Sequence, residues 1–271
     1  MGKCCGAEQH SALERAADAD PHALRLGSPH RARGDGRLGG HLAWVLLAGP
    51  GALLAPATLA HVLVQSYLFT GLFITGHDAM HGTVSRSPRV NAAFGWAACF
   101  LFAGLSYGRL VVNHRAHHAA PATAADPDFS DRSGAFWVWL GTFMVRYTTW
   151  KQLVVMALAY NLLHWSGVAE WRIWTFWVVP ALLGTLQLFY FGTYLPHRRP
   201  HTAGMAPHAA RTQTHGHLWA LLSCYFFGYH WEHHASPATP WWALWRVKDA
   251  RALLPLSGVR DEQAAPRAAQ S

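Results

Sequence analysis

Charged residues are scarce in this chain, and both a cysteine framework and a nucleotide-binding loop are missing. Charged side chains make up 13% of the 271 residues, whereas an average soluble domain has about a quarter. Because so few charges leave long uncharged segments, the composition is typical of a membrane protein. The four cysteines form no Cys-x-x-Cys pair, which argues against a disulfide scaffold or a cysteine-based metal site.

Two further absences narrow the functional classes. Neither a Gly-x-Gly-x-x-Gly sequence nor a Walker loop is present, so no dinucleotide or ATP site is predicted. The chain also lacks a basic stripe with interleaved aromatic residues, and no nucleic-acid partner is therefore expected. The net charge of +8 instead indicates a membrane protein with a basic cytoplasmic face.

The uncharged runs predict an all-α integral membrane fold. Residues 42–76 contain no charge and would form a helix of roughly 50 Å at about 1.5 Å per residue. That is too long for one crossing of a ~30 Å hydrocarbon core, and a Gly-Pro-Gly sequence at 49–51 and Pro56 interrupt it. With the runs 152–169 and 173–196, this predicts about four transmembrane helices in two hairpins, with a cytoplasmic histidine-rich cap.

The remaining segments set the expected domain bounds. Residues 1–40 lack periodicity and are interpreted as a mobile cytoplasmic tail. Residues 41–252 form the membrane domain, and 253–271 are predicted to be a disordered C-terminal tail. Within the domain, the apolar segment 92–108 lies between two arginines and is expected to be re-entrant or to lie on the membrane surface.

Two hairpins place both chain ends on one side of the bilayer, and the positive charges fall on that side. The opposite loops contain one Lys or Arg, Arg172. By the positive-inside rule the crowded side is the cytoplasm, so the sequence predicts an inner-membrane protein with its histidine-rich cap and both termini cytoplasmic. The Lys and Arg residues on the crowded side are Arg86, Arg89, Arg109, Arg115, Arg132, Arg198, Arg199, Arg211, Arg246 and Lys248.

Nine of the 19 histidines lie in four short motifs on the predicted cytoplasmic side. Residues at i, i+3 and i+4 share a helix face, so each of three motifs can direct two or three imidazoles at one point. The fourth places a single histidine at the end of the last span. These residues are His77, His81, His114, His117, His118, His197, His230, His233 and His234.

Nine convergent imidazoles exceed the ligand number of one metal ion. A zinc site takes four ligands, so the set suits two metals with four or five ligands each. Imidazole binds iron, zinc, copper and nickel, which leaves the metal open. Neither His61 nor His164 has a companion at helical spacing. Four histidines of a polar loop, interpreted as mostly solvated, are His201, His208, His215 and His217.

Four carboxylates are candidate hydrogen-bond partners of these imidazoles. A metal-bound histidine usually donates its second N–H to a carboxylate or a carbonyl. Asp78 and Glu232 lie inside the motifs, and Asp126 and Asp128 follow the second motif by about ten residues. Because Asp and Pro also favour turns, a purely local role for the Asp-Pro-Asp sequence is an equal alternative.

The order and spacing of the motifs resemble the membrane fatty-acid desaturase and hydroxylase superfamily. Longer strings are similar to those of the bacterial β-carotene ketolases. The likeness extends from about residue 42 to 250. The strings are FITGHDAMHG at 73–82, NHRAHH at 113–118, DPDF at 126–129, FGTYLPHR at 191–198 and FGYHWEHH at 227–234.

The resemblance implies a reaction and a cofactor. It implies a four-span fold with two iron ions at a cytoplasmic site, held by the nine motif histidines. It also implies O₂-dependent oxidation of carbon 4 of a carotenoid β-ionone ring to a ketone, by two hydroxylations and loss of water. Electrons are expected from an external donor, and the basic face suits an acidic protein such as a ferredoxin.

Two alternatives stay open. A carotenoid ring hydroxylase or a lipid desaturase would use the same di-iron centre. A metal-binding or metal-transport membrane protein is the other class, and it should have ionisable residues deep within the spans, lining a path. The ionisable residues of this chain gather at one end instead, which favours an enzyme.

Overall fold

The computed structural model describes residues 39–253, and within that range the protein consists of helices and connecting turns without a strand. Apart from Gly39, Gly40 and Leu253, the predicted tails 1–40 and 253–271 lie outside the described residues. The predicted membrane domain is therefore the part of the chain that can be compared with the structure.

The helices of the described range vary from one and a half turns to a long, irregular span. Two short 3-10 turns, Ala203–Met205 and Trp241–Ala243, precede the last helices. The helices are α1 (39–47), α2 (Pro56–Met80), α3 (Pro88–Ala103), α4 (Tyr107–Ala119), α5 (Phe136–Tyr147), α6 (Trp150–Trp165), α7 (Glu170–His197), α8 (His217–Cys224), α9 (His230–Ala235) and α10 (Leu244–Leu253).

The central element is α2, which packs against both α3 and α7. Pro56 lies in its first turn, where a missing N–H costs no helical hydrogen bond. Phe69 and Ile74 are buried in the core between these helices. The helix ends at Met80, and Gly82 follows with φ 76°, a left-handed conformation that glycine adopts without steric cost. The chain therefore turns away directly after the first histidine motif.

A sharp bend joins α3 to α4. The hydroxyl of Ser87 accepts a hydrogen bond from the Val90 N–H and caps the start of α3. The axes of α3 and α4 differ by 101°, and Gly104, with φ 65°, occupies the break. α3 runs beside α2, and the bend returns α4 to the end of α2. The second histidine motif is thereby brought next to the first.

Two π-helical turns, Trp174–Val178 and Tyr190–Tyr194, interrupt α7. Each is followed within two residues by a proline, Pro180 or Pro196, whose missing N–H breaks the regular hydrogen-bond ladder. π-helical turns are frequent at functional sites. The second one lies directly before the short last turn of α7, which carries His197.

The structure contains two helices long and apolar enough to cross a membrane, α2 and α7. They coincide with the second and fourth predicted spans. The bent α3–α4 pair is a third candidate if it counts as one broken span. The first predicted span corresponds to α1, of which residues 39–47 are described, and the third to the 16 residues of α6. Within residues 39–253 the protein is thus an all-helical membrane protein with two or three candidate spans.

Exposed apolar side chains support a membrane environment. No residue of α6 is buried, and Leu158 and Leu162 on this helix are 58% and 65% exposed. Large contiguous apolar surfaces are rare on soluble monomers. Lipid tails would cover these side chains without leaving a polar group unpaired, since the helical backbone satisfies itself.

Candidate metal centre

The nine motif histidines converge at one end of the helix bundle. Two lie at the carboxyl end of α2, three on α4, one at the end of α7 and three on α9. In each of the multi-histidine motifs, spacing of three or four residues places the rings on one helix face. Helices that are distant in sequence therefore deliver imidazoles to a common point.

Four of these histidines form a first group, in which the nearest ring nitrogens all lie within 4.8 Å of one another. The shortest contact joins His81 Nε2 to His114 Nε2 at 2.7 Å. His77 and His233 complete the group, with ring centroids 4.7 Å apart. We call these four residues group A.

A second group of four has the same compactness, with its nearest ring nitrogens again within 4.8 Å. His234 Nε2 lies 3.1 Å from His117 Nε2 and 3.2 Å from His230 Nε2. His197 is the fourth member, and its ring centroid lies 4.9 Å from that of His230. All four are buried. We call these residues group B.

The ninth histidine, His118, lies between the groups. Its Nε2 is 3.0 Å from His233 Nε2 of group A, and its ring stacks on His234 of group B at a centroid distance of 4.2 Å. Two groups of four with one shared neighbour match the ligand number of two metal ions better than that of one.

Hydrogen bonds fix two imidazoles with Nε2 toward the site. Nδ1 of His117 lies 3.0 Å from both oxygens of Asp126, and Nδ1 of His197 lies 3.0 Å from the Ala209 carbonyl oxygen. An acceptor at Nδ1 keeps the proton there and leaves Nε2 as a lone-pair donor. This arrangement is the usual one for metal-bound histidine.

Several ring nitrogens of the site are buried without a hydrogen-bond partner among the described residues. They include both nitrogens of His77, Nε2 of His197, and Nδ1 of His230 and His234. Buried polar atoms normally have a partner, and a cation between the rings would supply one. The residues therefore fit a metal, and imidazole chemistry admits iron among several ions.

Burial favours the neutral form of most of the motif imidazoles, the form that binds a metal, whereas at His117 the hydrogen bond to Asp126 outweighs burial and raises the pKa. Burial is the main cause, and the proximity of His77 the second, of a lowering of the His81 pKa to about 3. Burial and then His77 and His118 hold the pKa of His233 well below its usual range. A second positive charge is costly in such a crowded, buried cluster, so the rings offer lone pairs rather than protons.

Asp126 and Asp128 have different surroundings, although they are two residues apart. Asp126 accepts hydrogen bonds from His117 and from the backbone N–H groups of Ala122 and Asp128, both at 2.8 Å. Burial raises its pKa, but these hydrogen bonds outweigh burial and lower it. Asp128 Oδ2 is 3.9 Å from His117 Nδ1, and its Oδ1 accepts from the Tyr147 hydroxyl. The structure thus places Asp126, but not Asp128, in hydrogen-bond contact with a motif histidine.

The carboxylates inside the motifs contact other partners. Asp78 Oδ1 lies 3.6 Å from His77 Nδ1, and its Oδ2 accepts from the Trp241 N–H at 3.2 Å. Glu232 is fully buried and pairs with Arg251 of α10 at 3.0 Å. Asp78 therefore lies beside an imidazole, whereas Glu232 links α9 to α10.

An apolar cavity of about 420 Å³ leads away from the centre. His77, His114, His117 and His230 line one end of it. Leu153 and Leu182, which are 59% and 53% exposed, line it where α6 and α7 face outward. The cavity therefore connects the histidines with the lipid-facing surface. Its aromatic lining consists of Phe73, Phe102, Phe143, Tyr147, Trp177, Phe189 and Phe227.

The comparisons with known proteins agree with this geometry. Residues 50–162 and 145–263 match the fatty acid desaturase family. The chain belongs to this family. All nine motif histidines fall within the matched residues. No solved structure matches the chain significantly.

Named relatives within this family are ketolases. The chain is 41% identical over 210 residues to the "Beta-carotene ketolase" of Paracoccus sp. (strain PC1), covering 76% of this chain and 84% of the relative. Identity to the "Beta-carotene ketolase" of Paracoccus sp. (strain N81106 / MBIC 01143) is also 41%, over 75% and 83% of the two chains. The "Zeaxanthin 4-ketolase" of Chlamydomonas reinhardtii is 39% identical over 75% of this chain and 47% of its own length. The resemblance of the motifs to the ketolases is confirmed.

Sequence patterns missed several residues of this desaturase-family site. The carbonyl oxygen of Ala79, at the end of α2, accepts from the Asn91 amide at 2.6 Å and from the Tyr107 hydroxyl at 2.7 Å. Neither residue belongs to a motif, but both are buried polar side chains in apolar helices. Such side chains are informative because they need a partner.

The structure adds contacts of histidines outside the motifs. His201 is exposed, as interpreted from the sequence, and its Nε2 lies 2.9 Å from the His197 carbonyl oxygen, whereas His208 of the same polar loop is half-buried. The ring centroid of His208 lies 5.9 Å from that of His234. His61 has no histidine at helical spacing, as the sequence indicates, but its Nδ1 lies 3.0 Å from His41 Nε2. The contacts of His61 and His208 join residues 20 or more positions apart, so helical spacing does not indicate them.

Proposed function

We propose that this protein is a carotenoid ketolase that oxidises carbon 4 of a β-ionone ring to a ketone with O₂. One observation carries the proposal: eight motif imidazoles form two compact groups of four with His118 between them, and four of these imidazoles line an apolar cavity in a chain 41% identical to a β-carotene ketolase. An apolar substrate needs such a cavity, and oxidation of an allylic ring carbon with O₂ needs a metal centre or another cofactor beside it.

The proposed cofactor is a pair of iron ions. Group A would hold one and group B the other, with His118 next to both. When bound, iron supplies the O₂ activation needed to remove an allylic hydrogen. Asp126 and the Ala209 carbonyl contribute by keeping Nε2 of His117 and His197 directed at the site. Asp78 Oδ1 lies 3.6 Å from His77 Nδ1, beyond hydrogen-bond distance, and its carboxylate is proposed to offset part of the charge of the bound metal.

The residues that line the cavity are proposed to orient the substrate and to exclude water. Phe73, Phe102 and Phe227 line the cavity with the histidines, and their rings offer apolar surface against which a hydrocarbon ring can pack. Water is excluded from apolar cavities of this kind. Each hydroxylation consumes O₂, two electrons and two protons and releases water, and the twice-hydroxylated carbon then loses water to become a ketone.

Electrons are proposed to come from an acidic protein of the ferredoxin class. Exposed basic residues near the histidine end, including Arg115, Arg198 and Arg199, offer the charge that steers an acidic partner. The same charges support a cytoplasmic location for this end. Residues 1–40 and 253–271 are proposed to be cytoplasmic tails flanking the 41–252 domain.

The proposed topology is four crossings of the inner membrane in two hairpins. α2 and α7 are the full-length spans, and α1 and α6 are the shorter partners that precede each of them. Both histidine-bearing ends of α2 and α7 lie at the same end of the bundle, since groups A and B are adjacent. Snorkelling or local thinning of the bilayer can accommodate helices shorter than its hydrocarbon core.

The test is expression in a β-carotene-producing host, with carotenoids identified by chromatography and mass spectrometry. We expect canthaxanthin or echinenone from the wild type, and no ketone from His118→Ala or His233→Ala in membranes containing equal amounts of protein. His215→Ala is the matched control, because His215 is exposed outside both groups, and it should retain activity.

Other products would reassign the function. Zeaxanthin would indicate a ring hydroxylase, and an altered acyl profile without ketocarotenoids would indicate a lipid desaturase. Full ketone formation by both histidine variants would contradict the shared metal site.

A further inference from the structure

The lining of the cavity contains one carboxyl group, that of Asp128. One of its two oxygens forms no hydrogen bond with the histidines of the metal centre. Asp128 and Tyr147 line the cavity at the end where His114 and His117 also line it. Oδ1 of Asp128 accepts a hydrogen bond from the Tyr147 hydroxyl. Oδ2 lies 3.9 Å from His117 Nδ1, too far for a hydrogen bond. One acceptor oxygen beside the histidines therefore remains open to a ligand in the cavity.

The position of this carboxyl group is fixed by its backbone. The Asp128 N–H donates to Asp126 Oδ1 at 2.8 Å, and its carbonyl oxygen accepts from Trp139 Nε1 at 2.7 Å. The side chain is 15% exposed, and Asp128 is a lining residue of the cavity. A polar oxygen facing an apolar space is costly unless a donor reaches it. The arrangement suits a ligand with a single hydroxyl.

Two other polar side chains of the cavity have hydrogen-bond partners close by in sequence. Gln152 forms a capping box with Thr149 at the start of α6, and the Thr185 hydroxyl donates to the Ala181 carbonyl of its own helix at 2.8 Å. Asp128 is the one carboxylate of the cavity lining, and it forms no hydrogen bond with an imidazole.

We propose that Asp128 Oδ2 accepts a hydrogen bond from the ring hydroxyl formed in the first oxidation and keeps the oxidised carbon beside the metal centre for the second. The proposal rests on the proposed ketolase function, in which one carbon is oxidised twice. β-Carotene is a hydrocarbon and cannot make this bond, so the bond forms only after the first oxidation. The ketone has no O–H to donate, and the contact therefore does not retain the final product.

The first experiment compares product ratios in Asp128→Ala and wild type. We expect the ratio of 4-hydroxy to 4-keto rings to rise about tenfold, the size expected when one hydrogen bond to a carboxylate is lost. Truncation leaves both backbone hydrogen bonds of Asp128 intact. Asp131→Ala, the same change at an exposed position of the same loop, should keep the wild-type ratio.

A second pair of variants removes one hydroxyl group each. Tyr147→Phe removes the donor that orients Asp128, and it should raise the alcohol-to-ketone ratio in the same direction, by a smaller factor. Tyr160→Phe is chemically identical, but the Tyr160 hydroxyl bonds to Glu170 at the opposite end of the molecule. It should leave the ratio unchanged.

Binding to purified, metal-free protein in nanodiscs gives a readout independent of turnover. Wild type should bind 4-hydroxylated carotenoid about tenfold more tightly than β-carotene, and Asp128→Ala should bind both equally. An unchanged product ratio in an iron-replete Asp128→Ala variant would overturn the proposal. So would equal wild-type affinities, or a preference confined to rings hydroxylated at carbon 3. Absence of any 4-oxygenated product from wild type would instead refute the ketolase function itself.

Discussion

At the scale of single residues, the orientation of His117 depends on a prepared carboxylate. Both carboxylate oxygens of Asp126 lie 3.0 Å from His117 Nδ1 and accept a hydrogen bond from it. The carboxylate is itself held by two backbone N–H groups, those of Ala122 and Asp128. A partner fixed in this way keeps the imidazole in one tautomer and one orientation. Its loss should weaken metal binding before it affects the fold.

The variant Asp126→Asn tests this role. His117 would donate to a neutral amide oxygen, a weaker acceptor than a carboxylate, and we expect metal affinity to fall about 10- to 100-fold. Iron per purified protein and ketone yield should fall together. Asp131→Asn is the matched control, being exposed in the same loop. Wild-type iron content in Asp126→Asn would contradict the assigned role.

The convergence of the nine histidines could be predicted because a metal site imposes a spacing that helices preserve along the sequence. The division of labour between Asp126 and Asp128 could not. Both follow the second motif in one short turn, and only the path of that turn decides which oxygen reaches His117. Tyr147 lies 19 residues after Asp128, so no local pattern links the two.

At the scale of elements, one aromatic ring joins α7 to the first motif. Gly192 lies in the second π-helical turn, where an added Cβ would come within 2.4 Å of Phe227 Cε1. The Phe227 ring packs edge-on against His77 with centroids 4.7 Å apart. The glycine therefore permits a close approach between α7 and the segment that leads into α9.

Substitution of Gly192 by Ala should force the Phe227 ring toward His77. We expect a loss of about 1–3 kcal/mol, as for overpacking of a dense core, seen as a lower unfolding temperature in detergent and as reduced ketone yield. Gly141→Ala on α5 is the matched control, because nothing lies within 4 Å of its added Cβ. That change should be neutral or slightly stabilising through helix propensity. Equal unfolding temperatures for both variants would be incompatible with this packing.

The bend between α3 and α4 illustrates what the sequence leaves undetermined. The apolar segment 92–108 contains Gly95, Gly104 and Gly108, and each is a candidate break. Gly104 has a positive φ and Gly95 instead packs against the Tyr107 ring. Tertiary contacts therefore decide which glycine bends the chain, and the sequence could predict only that the segment is irregular.

At the scale of the whole molecule, Arg172 joins helices at the end of the bundle opposite the nine motif histidines. Its guanidinium donates to the Val45 carbonyl at 2.7 Å and to the Gly49 carbonyl at 2.9 Å. These carbonyls lie at the end of α1, where a helix leaves acceptors unpaired. Arg172 is the one Lys or Arg in the loops predicted to lie outside the cytoplasm. Its hydrogen bonds give it a structural role there, so its position agrees with the proposed membrane orientation.

Reporter fusions test that orientation. Alkaline phosphatase inserted after the exposed Gly167, in the α6–α7 loop, should be active, because that loop is expected outside the cytoplasm. The same enzyme fused to the C-terminus should be inactive, and a fluorescent protein there should fold. The reverse pattern would place the histidine centre outside the cytoplasm and exclude a ferredoxin as the donor.

The outward-facing end of the cavity has a kinetic consequence. Leu153 and Leu182 line it and are exposed on α6 and α7, so substrate arrives by lateral diffusion within the bilayer. The concentration that governs saturation is then the number of carotenoid molecules per lipid. Diluting vesicles with buffer leaves that quantity unchanged, whereas diluting the same carotenoid with extra lipid lowers it. Turnover therefore follows membrane composition, and a host that alters its lipid content alters the flux through this enzyme without changing its amount.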